Sequence, residues 1–171
     1  KFSDSSGNTN QDGSDANNSL SFSVDTKRPT LAITDNDSDN ALKAGDTAAL
    51  TFTLSEASSN FTKSDVSLAG GALSNWKAVS STRYTATFTP TANSTTDGVI
   101  SVASSKFSDS SGNTNQDGSD ANNSLSFSVD TKRPKTVLST KADLLSYGQT
   151  ARINFKLSEA SFNFRKADVS V

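Results

Sequence analysis

Residues 106–134 read KFSDSSGNTNQDGSDANNSLSFSVDTKRP, and residues 1–29 read the same, letter for letter. The two copies stand 105 residues apart. Solenoid and array units run about 20–50 residues, so a period this long marks a whole domain. The end of the stretch declares its type. Leu125, Phe127 and Val129 alternate with Ser126 and Ser128, the period-two pattern of a strand with one buried face. Downstream of each copy the likeness resumes at LSEAS, residues 54–58 and 157–161, followed by N-F-x-K-x-D-V-S. The first of these carries two extra residues near Asp35–Asp39. The chain therefore divides into the C-terminal end of one repeat (1–29), a complete repeat (30–134) and the N-terminal part of a third (135–171). Pro29 and Pro134 close the string DTKRP at each joint. Proline fixes its own φ and pushes its neighbour toward extended geometry, which suits a linker.

Other alternating runs extend outward from that strand. Leu31 and Ile33 alternate with polar neighbours, as do Leu50, Phe52 and Leu54. Val66 and Leu68 follow, then Tyr84, Ala86 and Phe88, then Ile100 and Val102, with Phe107 close behind. Trp76 and Val79 mark a further strand. No window carries a helical stripe. Six or seven short strands in about 100 residues, separated by Gly, Asn, Asp and Ser, predict an all-β, immunoglobulin-like antiparallel β-sandwich in tandem copies. Composition agrees with a thinly cored β protein. Of the 171 residues, 52 are Ser or Thr and 34 are Leu, Ile, Val or Phe, including ten Phe. The outward Ser and Thr suit a soluble strand face.

The strings ALKAGDTAALTFTLSEAS, FTKSDV, GGALSNW, YTATFTPTANSTTDGVISVASSKFSDSSGN and SLSFSVDTKRP resemble a bacterial Ig-like repeat. The resemblance covers residues 30–134 and both partial repeats. Repeats of this kind are extender modules of giant Gram-negative surface and biofilm adhesins, commonly of the type I-secreted, RTX class. The resemblance implies an extracellular position on the bacterial cell surface, neighbouring repeats of the same chain as partners, and Ca²⁺ bound at domain junctions.

The residues make their own case for calcium. Ca²⁺ takes six to eight oxygen ligands, and this chain is rich in Asp and Asn while lacking His and Cys. In a sandwich, Glu56 opens the loop between the second and third strands (B–C) and Asp65 closes it. The loop between the last two strands (F–G), from about Asp109 to Asn123, lies at the same end. The chain comes into the domain there too, through Asp25. Asp25, Glu56, Asp65, Asp109 and Asn113 are thus expected to converge; the alternative is a solvated acidic loop with one turn-capping Asp. The next junction would use Asp130, Glu159 and Asp168, with the F–G ligands of the third repeat lying beyond this sequence.

Two further spacings resemble EF-hand loops. Asn113-x-Asn115-x-Asp117-Gly118-x-Asp120 matches the opening of the motif but has Ser124 at the bidentate position. A Ca²⁺ loop of another kind and an Asn/Gly-rich turn both satisfy it, and Asn8, Asn10, Asp12 and Asp15 repeat it. Asp35, Asp37, Asp39 and Asp46 copy positions 1, 3, 5 and 12, but the aligned STKADLLSYG lacks those acids. A solvated A–B hairpin loop is favoured there over metal.

Several function classes recede. Without His, and with no Lys in a recognisable motif, no Ser is activated as a nucleophile, and the acids sit in loops with no evident cleft, so an enzyme is not expected. The net charge of −2 argues against nucleic acid and anionic membrane. No apolar run approaches the roughly 20 residues of a spanning helix. The lack of Met predicts that Lys1 is not a natural start. Trp76 is expected in the core, with a sugar-stacking platform as the alternative, and a glycan- or protein-binding module or an accessory domain of a secreted enzyme remain the competing functions. The partial repeats are not expected to close sandwiches of their own.

Overall fold

The computed structural model describes residues 1–170. Eight strands build the complete repeat: β1 (Leu31–Asp35), β2 (Ala41–Lys43), β3 (Ala48–Leu54), β4 (Val66–Ala69), β5 (Gly71–Ser80), β6 (Arg83–Pro90), β7 (Gly98–Val102) and β8 (Ser124–Asp130). They form two four-stranded sheets, β1-β3-β6-β5 and β2-β8-β7-β4. This is the order of an immunoglobulin-like sandwich, ABED against A′GFC. All pairings within it are antiparallel except β2 with β8, which is parallel.

Alternation decides which faces meet. On β3, Ala48, Leu50, Phe52 and Leu54 are buried while Ala49 and Thr53 are exposed. On β6, Tyr84, Ala86 and Phe88 turn inward from the facing register Phe52↔Tyr84 and Ala48↔Phe88. From the other sheet come Ile100, Val102, Phe127 and Val129, each no more than 3% exposed. The layers meet in two aromatic groups. Phe88 stacks on Phe127 with centroids 5.6 Å apart, and Phe61 lies edge-on to Tyr84 and Phe107 at 5.0 and 5.2 Å. Stacked and edge-on pairs of this kind add about 0.5–1.5 kcal/mol beyond the burial of area.

The strands expected from alternation are present, with two departures. The stretch expected as a plain A–B hairpin loop contains β2, three residues that cross to the second sheet and bury Leu42 against it. A strand that short is below what alternation can register. Trp76 lies on β5 beside a register shift, where Asn75 adopts a φ of 53°. The extra residue reverses the parity of the strand and points Trp76 inward, 5.2 Å from Phe52 and 5.8 Å from Tyr84. The ring is half-buried core, not a surface platform.

The flanking pieces are thinner. Residues 136–157 form a hairpin of β9 (Thr136–Thr140) and β10 (Ile153–Leu157), paired as β1 is with β3. Val137, Leu138 and Ile153 stay exposed on it. Residues 1–24 carry no strand, and Phe2, Leu20, Phe22 and Val24 are all more than 70% exposed.

A candidate metal centre at the domain junction

Three segments meet at one end of the sandwich. The linker supplies Asp25, the B–C loop supplies Glu56 two residues after β3 ends, and the F–G loop (103–123) supplies Asp109. One carboxylate oxygen from each lies within 4.8 Å of the other two.

Local chemistry fixes each acid. Asp109 closes a tight turn: its Oδ1 accepts from the amides of Ser111 and Asn113 at 2.9 Å, and its Oδ2 accepts from Asn113 Nδ2 at 2.9 Å. Gly112 makes that turn possible with a φ of +90°. These donors, the Asn113 amide first, outweigh burial and hold the Asp109 carboxyl below its ordinary value of 3.8. The same turn grips the linker. Ser111 Oγ donates to Asp25 Oδ2 at 3.0 Å and Asn113 Nδ2 to the Asp25 carbonyl at 3.1 Å. Glu56 is placed by the start of its loop, where Ser55 and Thr30 exchange two hydrogen bonds of 2.9 Å beside the buried Pro29.

The electrostatics are unbalanced. Three carboxylates face one ammonium, Lys27 Nζ, 3.0 Å from Glu56 Oε1. That contact is an ion pair by distance but lacks hydrogen-bond alignment, and Oε1 is shielded from solvent with no hydrogen-bond donor. A shielded carboxylate oxygen without a donor is costly unless a cation serves it, and here the Lys27 ammonium does.

The family model of the bacterial Ig-like domain matches residues 25–129. The chain belongs to that family. The match opens on Asp25, the first residue of the linker string. No curated protein matches the sequence.

In this bacterial Ig-like domain the other expected ligands, Asn113 apart, lie elsewhere. Asp65 is used up at its own turn, where Oδ2 accepts from the amide and hydroxyl of Thr62 at 2.7 and 2.9 Å. Asn113 adjoins the acids, with its amide nitrogen committed to Asp25 and Asp109. Asn115 is fully buried as a plug: Oδ1 accepts from the amides of Lys106 and Phe107, and Nδ2 donates to the Ala103 carbonyl and to Asp117 Oδ1. Asp117 also accepts from the Leu31 amide at 2.5 Å, which ties the F–G loop to β1. These two residues organise the loop through hydrogen bonds rather than facing the acid group. Asp120 is exposed beside the short 3-10 turn at Ala121–Asn123. Asp130 sits at the opposite end of the sandwich, where it lines a groove with Glu159. Asp168 accepts from the Arg165 amide at 2.9 Å within its own turn.

The acids around β2 do not gather. Asp35, Asp39 and Asp46 each accept a nearby amide, from Asp37, Ala41 and Lys43. Asp37 keeps a shielded Oδ2 without a partner. Among the described residues, only Asp25, Glu56 and Asp109 bring three acidic groups within reach of one ion. Sequence reading passed over Ser111, Lys27 and Asn60. Asn60 joins the two loops: its Oδ1 accepts from the Ser108 amide at 3.0 Å and its Nδ2 donates to Ser108 Oγ at 3.1 Å. Asn60 stands two residues after the buried Ser58, a signal only a known loop pairing could have made readable.

Proposed function

We propose that this chain is a structural spacer of an extracellular bacterial surface protein, with Ca²⁺ joining consecutive domains. The observation that carries the reading is the meeting of a linker acid with acids from two loops of the following domain. The donor set fits a hard cation, being all oxygen. Asp25, Glu56 and Asp109 would hold the ion, which would supply positive charge where three carboxylates repel. The chain's own contribution is to fix those acids in place: the Asp109 turn is prebuilt, and Ser111 and Asn113 hold Asp25 against it. Lys27 partly offsets the same charge, on a side chain 73% exposed and free to withdraw.

The duplicated 1–29 sequence supports a tandem array, and the finer reading is an extender module of a Gram-negative, type I-secreted adhesin of the RTX class, serving attachment and biofilm formation. The reading is non-enzymatic. The packing of Trp76 on Phe52 and Tyr84 removes the feature that favoured a glycan platform.

Thermal unfolding in Ca²⁺, Mg²⁺ and EGTA tests the reading. At a hundredfold excess over Kd, Ca²⁺ adds about 2.7 kcal/mol, or roughly 10 °C in a domain of this size. Asp25→Asn and Asp109→Asn should each abolish most of that shift. Equal melting in all three solutions would remove calcium.

A further inference from the structure

We propose that the DTKRP linker is a two-sided lock that sets the angle between consecutive domains without metal. The string occurs at Asp25–Pro29 and at Asp130–Pro134, and each copy displays a different half of its contacts.

The first copy shows the grip on the domain that follows. Asp25 is held by Ser111 and Asn113, and Lys27 is paired with Glu56. Arg28 Nη1 donates to the Thr114 carbonyl at 3.1 Å, and Pro29 is fully buried. The second copy shows the grip on the domain being left. Thr131 is 6% exposed, and its amide donates to the Ser94 carbonyl at 2.9 Å. Its hydroxyl donates to the Thr91 carbonyl at 2.7 Å and accepts from the Ser94 amide at 2.8 Å. The loop between β6 and β7 thus holds Thr131 on both backbone and side chain. Thr26, the same residue in the first copy, is exposed, for residues 1–24 contain no such loop.

Combined on one linker, neighbouring residues belong to different domains. Lys, Arg and Pro bind forward and Thr binds back, while Asp does both: its side chain is held by the next domain and its backbone ends β8 opposite Lys43. The Asp side chain also accepts from the Lys amide at 3.1 Å in both copies, which closes the backbone across the Thr. Proline fixes one more torsion. No residue of the string is left as a free hinge. The lock rests on the tandem-array reading but not on calcium.

Backbone ¹⁵N relaxation of the 171-residue chain in EGTA tests it. Order parameters at Thr131 and Lys132, the part of the string held by the domain being left, should lie near about 0.85, the rigid value, and fall below about 0.6 in Thr131→Val. Thr131→Ser, which keeps the hydroxyl, should restore them. Thr26→Val, the same change in the same local sequence, should alter nothing. Trp76 fluorescence reports that the sandwich is folded in each variant. Unchanged order in Thr131→Val overturns the lock. So does a segment that is already mobile in EGTA in the unaltered chain, an outcome that leaves the calcium reading untouched. The metal is decided separately, by the melting comparison in Ca²⁺ and EGTA, because Asp25, Glu56 and Asp109 lie at the other end of the sandwich from Thr131.

Discussion

Residues 1–29 and 106–134 have one sequence and two structures. Their turns are the same. Asp4 accepts from Ser6 and Asn8 as Asp109 does from Ser111 and Asn113, and the bridge Ser3↔Thr9 repeats as Ser108↔Thr114. A 3-10 turn forms at Ala16–Asn18 and again at Ala121–Asn123. Their strands are not the same. Ser124–Asp130 is β8, between β2 and β7, whereas the matching Ser19–Asp25 is no strand at all. Turn chemistry is satisfied by residues two to eight apart and needs nothing else. A strand needs partners on its edges and a core under its face. The pair separates what these 29 residues do alone from what a domain does with them.

The largest expected effect sharpens that separation. Phe127→Ala should cost about 3–5 kcal/mol, as large aromatic truncations in a packed core do. Phe22→Ala, at a site 79% exposed, should stay within about 0.5 kcal/mol. Urea unfolding followed by Trp76 fluorescence measures both, and equal costs would break the comparison.

Next comes the buried amide. Asn115→Ala leaves the amides of Lys106 and Phe107 without their acceptor, and should cost about 2–3 kcal/mol. Asn10→Ala removes the matching bond to Phe2 in an open setting, with no measurable change in global stability.

A smaller effect lies in acid. Both Asp4 and Asp109 titrate below 3.8, chiefly because Asn8 and Asn113 donate to them. A carboxylate whose folded value is depressed stabilises the folded state above the unfolded value, and that contribution is lost as pH falls through the folded one. Stability should therefore drop below about pH 4, partly through Asp109. Asp109→Asn should flatten that drop and Asp4→Asn should not, although an NMR titration should find both carboxyls low.

The smallest effect concerns Lys27. Exposed ion pairs contribute up to about 1 kcal/mol, so Lys27→Met should tighten calcium binding no more than about fivefold in a calcium titration. A weakening would show that Lys27 supports the acid group instead of competing with an ion.

How far the sequence could be read follows the same division. Phe52, Tyr84, Ile100 and Phe127 announced their burial by alternation, because period two is a property of a single strand. Asp25, Glu56 and Asp109 could be brought together only by assuming sandwich topology, and they were. Asp65 was misplaced with them because a loop-closing Asp that caps Thr62 looks, in sequence, like one that faces the junction. Asn115 and Asp117 looked like ligands for a related reason: their oxygens are matched by amides of Leu31, Lys106 and Phe107, whose positions no spacing reveals. The parity change at Asn75 and the three residues of β2 are backbone events with no side-chain pattern to mark them.

Those three residues have a mechanical consequence. β2 runs parallel to β8, with Ala41, Leu42 and Lys43 against Ser128, Val129 and Asp130. One lies near the start of the domain and the other at its end, so the two leave the fold in opposite senses along one axis. Tension applied through the joints would slide β2 past β8 and load their hydrogen bonds together, where an antiparallel pair pulled from one end would open bond by bond. We expect single-molecule pulling to find a distinct force peak for the domain, lowered when Leu42, the buried anchor of this short pair, is cut to Ala. A link in a chain under flow would then owe its resistance to one of its shortest strands.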